Sequence, residues 1–130
     1  MTEFFERTFR LWEFNVSHNQ LLLRSPKKKS QPRNIDIAFV GVGYVDIPTK
    51  LDGITFCQPT ADEIDRICER LGKKVAHDEI HILSSAGKRY LVVATAKKVW
   101  DNDFDIFESS LEHFSTTQPQ RNKQHVSNLN

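Results

Sequence analysis

Residues 34–47, NIDIAFVGVGYVDI, constrain this chain more than any other stretch. β-Branched and aromatic side chains fall on both faces of a two-residue repeat there, which is the pattern of a strand covered on both sides. The run predicts a central strand, closed by Pro48, and the rest of the chain has to supply its neighbours and its cover.

The neighbours are legible on either side. TFRLWEFNV over residues 8–16 alternates, placing Thr8, Arg10, Trp12, Phe14 and Val16 on one face and Phe9, Leu11 and Glu13 on the other. Ser17, His18 and Asn19 are turn formers and Leu21, Leu22 and Leu23 follow, so a first hairpin is predicted. SPKKKSQPR then interrupts regular structure with two prolines and a lysine run, as an exposed loop. Beyond the central strand, Asp52-Gly53 makes a turn and Ile54–Cys57 begins another strand that Pro59 ends. Glu79–Ser84 and Lys88–Ala96 alternate around Ser85, Ala86 and Gly87 and predict a second hairpin.

Two helices are expected. Thr60 and Glu63 form an S/T-x-x-E capping box, Gly72 stands where a left-handed C-cap belongs, and Ile64, Ile67, Cys68 and Leu71 make one apolar stripe, so residues 60–71 are helical. Phe104, Phe107, Leu111 and Phe114 recur at helical spacing and predict a second amphipathic helix over 103–114, with Asn102 or Asp103 as its N-cap. From Ser115 on, only Val126 and Leu129 are sizeable apolar residues, and a disordered tail over 115–130 is expected. With 38% of 130 residues hydrophobic, there is material for one core and not two. The expectation is a single α+β domain over residues 1–114, a mainly antiparallel sheet of about six strands with helices on one face.

Nothing in the chain approaches the roughly 20 consecutive apolar residues of a membrane span. The opening MTEFFERTFR mixes acids and bases, so no secretion signal is expected. Cys57 and Cys68 alone do not make a disulfide framework, and a reducing, cytoplasmic setting is expected.

Signatures of chemistry are sparse. Asp101, Asp103, Asp105 and Glu112 match positions one, three, five and twelve of a calcium loop, but Ile106 stands where that loop requires glycine. Cys57, Cys68, His77 and His81 form a zinc-type inventory with the wrong spacing, because the cysteines are too far apart and Cys68 belongs to the apolar stripe. No metal site and no cofactor are therefore expected. There is no nucleophile elbow, phosphate loop or helical H-E-x-x-H pair. Gly41 and Gly43 on a strand are no dinucleotide fingerprint, yet two absent side chains on one face leave a trough. The 64–71 helix is its expected occupant, and a ligand is the alternative.

Charge is more informative. The net charge is only +1, but Arg24, Lys27, Lys28, Lys29 and Arg33 follow one another with no intervening acid. Acids gather elsewhere, at Asp101, Asp103, Asp105, Glu108 and Glu112 and at Asp62, Glu63, Asp65 and Glu69. Polarised charge without catalytic signature predicts a small intracellular non-catalytic protein-binding module, an adaptor or a toxin-neutralising partner, that uses the basic loop on another protein or on a second copy of itself. One alternative is a weak, non-specific nucleic-acid binder acting through Lys27–Lys29. The other is a small enzyme, a hydrolase, with its site near Gly41, Gly43, His77 and His81 and with His81 as base.

Overall fold

A computed structural model describes residues 3–111. In chain order it contains β1 (Glu3–Asn15), β2 (Gln20–Ser25), β3 (Asn34–Asp46), β4 (Lys50–Cys57), α1 (Ala61–Leu71), a short 3-10 turn (His77–Glu79), β5 (Ile80–Ser85) and β6 (Lys88–Asn102). Every strand pair is antiparallel. The spatial order β1-β2-β3-β6-β5-β4 returns to β1, so the sheet closes into a barrel and has no open edge. Antiparallel pairing, six strands and the capped helix are as the sequence predicts; closure is an addition to it.

Alternation decides what fills the barrel. Phe9, Leu21, Leu23, Ile37, Phe39, Leu51, Ile54, Leu83 and Val92 form one buried cluster to which all six strands contribute, and this is the interior. On β3 the inward set passes from Ile37 and Phe39 to Val42, skipping a residue, and on β6 it passes from Ala94 to Val99 with the same change of parity. Gly41 sits at this corner with φ +67°. A Cβ there would collide with the Thr95 hydroxyl and approach Thr95 Cβ to 2.9 Å, so the bend requires glycine twice over.

α1 forms for local reasons and docks for apolar ones. Thr60 Oγ1 accepts from Glu63 N at 3.1 Å, Glu63 Oε1 accepts from Thr60 N at 2.9 Å, and Gly72 closes the helix in the left-handed region. Ile67 is buried, and Ile64, Cys68 and Leu71 join it against Val75, Ile80, Ile82 and Val93 on the outer wall.

The second helix is not where its periodicity predicts. Asn102 ends β6 as a buried residue, Asp103–Ser110 forms no helix, with a turn at Ile106 and Phe107, and a helical residue is reached only at Leu111. Asp105 Oδ1 accepts from Phe107 N at 2.9 Å and from Glu108 N at 3.1 Å, which folds the chain back on itself in place of a first helical turn. Leu111 is buried with Leu22 and Ala38 on the outer face of β2 and β3, so that segment covers this part of the wall. Phe114 and the expected tail over 115–130 lie outside the described residues.

Candidate functional site

The loop after β2 is a small hairpin. Lys28 N donates to Gln31 O at 2.7 Å and Gln31 N to Lys28 O at 2.9 Å, closing a tight turn through Lys29 and Ser30. Arg7, on β1, holds both stems. Its Nε donates to Ser25 Oγ at 2.8 Å, and its Nη2 donates to Ser25 O at 2.9 Å and Arg33 O at 2.8 Å. Lys27 N donates to Asn34 Oδ1 at 2.7 Å, and Gln31 Nε2 reaches Glu6 O at 3.1 Å. Lys27, Lys28, Lys29 and Arg33 are exposed. Among the described residues neither Lys28 nor Lys29 makes an ion pair.

Arg24 is not part of that surface. It is 1% exposed and grips Asp36, itself fully buried, with two hydrogen bonds: Nε to Oδ1 at 2.7 Å and Nη2 to Oδ2 at 2.9 Å. The register that opposes Arg24 to Asp36 across β2 and β3 makes the pair, and the Trp12 ring lies 5.3 Å from the guanidinium. Asn102 Nδ2 donates to Asp36 Oδ2 at 2.8 Å, the Ser110 hydroxyl donates to the same oxygen, and Asn34 Nδ2 donates to Asn102 Oδ1 at 2.7 Å. No buried side-chain polar atom among the described residues lacks a partner, which is the condition for a buried charge to be tolerated.

The spare nitrogen of Arg24 shapes the surface beside the hairpin. Nη1 donates to Glu108 O at 2.9 Å and more distantly to Asp105 O at 3.4 Å, pinning the turn that carries Ile106 and Phe107. Those two are 65% and 90% exposed, although the sequence places Phe107 on a buried helical stripe. Arg33 pairs with Asp101 at 3.3 Å and Lys27 Nζ donates to Asp103 O. The acidic segment 101–108 therefore lies against the basic hairpin instead of at an opposite pole, and only the α1 acids remain apart from it.

The histidines and glycines named from sequence fall into two clefts. His77 and His81 share one of about 290 Å³ with Phe56, Cys57, Asp78 and Lys97. His81 Nε2 lies 3.0 Å from Ala94 O, so a neutral ring donates there and leaves Nδ1 unprotonated. Burial pushes the imidazole below its ordinary 6.5. Lys97 stands 3.7 Å from the Phe56 ring centroid, and burial lowers its ammonium as well. Gly41 and Gly43 line the other cleft, about 460 Å³, with Leu71, Lys73, Lys74, Glu79 and Thr95. Only the end of α1 borders it, so the helix does not fill the trough as expected. The structure thus separates the glycines from the histidines. Cys68 Sγ accepts from Val75 N at 3.4 Å, while Cys57 lies in the histidine cleft.

Sequence reasoning misses three contributors: Arg7, Asp36 and the exposed Phe107. One signal was present, because an acid at Asp36 inside an apolar strand calls for a buried donor. Comparison with protein-family models, with curated proteins and with solved structures finds no match to this chain.

Proposed function

We propose that the protein is a non-catalytic binding module that docks an acidic surface of another protein on the hairpin 27–33, as an adaptor or a toxin-neutralising partner does. The observation that supports this most is that Arg7 bonds both stems of the hairpin, while Lys28 and Lys29 at its tip make no ion pair among the described residues. A preorganised loop avoids the ordering cost of binding, and its cations govern encounter rate and partner choice. Asp101 and Asp103 beside the hairpin disfavour a nucleic-acid backbone, which repels carboxylates along its whole length. The unpaired thiols of Cys57 and Cys68 support a reducing, cytoplasmic setting.

The test is site-specific cross-linking from Ser30 in extract of the protein's own source at low salt. We expect cross-links to acidic segments of one protein, lost when Lys28→Glu and Lys29→Glu are combined. Equal capture by the charge-reversed chain, or capture only of nucleic acid, sinks the reading.

A further inference from the structure

From the geometry of the 101–108 turn and the adjoining hairpin we infer that this face pairs with a second copy of the chain about a two-fold axis, with Phe107 as its apolar anchor. The inference rests on the docking reading above in using the same face, and makes a second copy of this chain its occupant in place of a different protein.

Three observations carry it. First, Ile106 and Phe107 are adjacent, 65% and 90% exposed, and carried on a turn whose backbone is hydrogen-bonded in place. Arg24 holds the carbonyls of Asp105 and Glu108, Asp105 Oδ1 accepts two backbone N–H groups, and Glu108 Oε1 accepts from Asp105 N at 2.9 Å. A turn whose backbone is already ordered has less to lose on binding, and exposed aromatic anchors dominate interface energetics. Second, the acidic segment that carries the anchor lies against the basic hairpin. Lys28 and Lys29 lie on the hairpin, Asp103 and Asp105 on the turn, and contacts at Arg33–Asp101 and Lys27–Asp103 bring the two segments together. A surface that carries both signs side by side is complementary to itself when rotated by a half turn, since each basic tip then meets the other copy's acids. Third, a net charge of +1 leaves no long-range repulsion between copies.

The experiment is sedimentation of the purified full-length chain over a wide concentration range at low salt. The expected result is a weight-average mass that climbs above 15.1 kDa with concentration. Association should weaken as salt is added, and Phe107→Ser should raise the dissociation constant about thirtyfold or more. Because Phe107 is exposed, that variant keeps the wild-type melting temperature at concentrations where both chains are monomeric, which is checked alongside. A charge exchange then tests the face itself. Lys28→Glu with Lys29→Glu in one chain, and Asp101→Lys with Asp103→Lys in another, should each be monomeric alone and should associate when mixed. A wild-type chain monomeric at every concentration overturns the inference, as does a dimer indifferent to Phe107→Ser or a mixture that stays monomeric. Monomeric behaviour leaves the docking reading to its own cross-linking test, so the two can fail separately.

Discussion

Arg24 and Asp36 show how a single pair ties strand register to surface shape. Two ions removed from water are tolerated only when every hydrogen-bonding position is filled, and removing one partner leaves the other buried without compensation. Arg24→Met should therefore cost about 3–5 kcal/mol in urea unfolding. The combined Arg24→Met, Asp36→Leu chain should lose less than the sum of the two single changes, because no unpaired charge then remains. Additive losses would show that the pair is not coupled as described. The same substitution should also release the 103–110 turn, since Arg24 Nη1 is what holds the Glu108 carbonyl.

At the scale of elements, the β3–β6 corner and the start of α1 each rest on one small feature. Gly41→Ala meets both a positive φ and the Thr95 side chain, and it should lower stability by about 1–3 kcal/mol. Gly43→Ala should be near neutral in the same denaturation experiment, since the nearest atom to its Cβ would be Val93 Cγ1 at 4.0 Å. Equal effects at the two positions would contradict the corner. α1 is fastened to β6 by Glu63, whose Oε2 and Oε1 each accept from Arg89 at 2.9 Å. That hydrogen bonding draws the Glu63 carboxyl down to about 2 from 4.5. A depressed folded-state value means that the contribution is complete above 4.5 and disappears as pH falls through 2. Wild type should therefore be more stable than Glu63→Gln at pH 7, with the difference closing between those limits. A gap undiminished at pH 2 would mean that Glu63 acts by packing alone.

For the whole molecule, closure is the decisive property. β1 is bonded to β2 on one side and to β4 on the other, with Phe9 opposite Leu51 across the seam. With no free edge to fray, amides of β1 and β4 should exchange only through global unfolding, within about 1 kcal/mol of those in β3 and β6. Amide exchange that showed the seam opening alone, several kcal/mol more easily, would mean that the barrel is a sheet with a loose lap joint.

What the sequence determined by itself is local. α1 was legible to within one residue, Thr60 being its extended cap and not its first helical residue, because Thr60, Glu63 and Gly72 satisfy its ends within a few positions and Ile64, Ile67, Cys68 and Leu71 mark its buried side. The strands were legible as elements because alternation is written in consecutive residues, but not their ends: β1 begins at Glu3 rather than at residue 8, the expected Asp52-Gly53 turn lies inside β4, which starts at Lys50, and β6 runs on to Asn102 where a helix cap was expected. Only the tertiary structure decided which strands meet, and therefore that the sheet closes. It also decided that Arg24 leaves the basic surface for a partner 12 residues away, and that Phe107 faces solvent. Helical spacing in 103–114 describes what that segment would do alone. In the protein, Asp36 draws in Ser110 across 74 residues and Arg24 holds the Glu108 carbonyl across 84, and these buried and half-buried hydrogen bonds outweigh a local preference of a few tenths of a kcal/mol per residue.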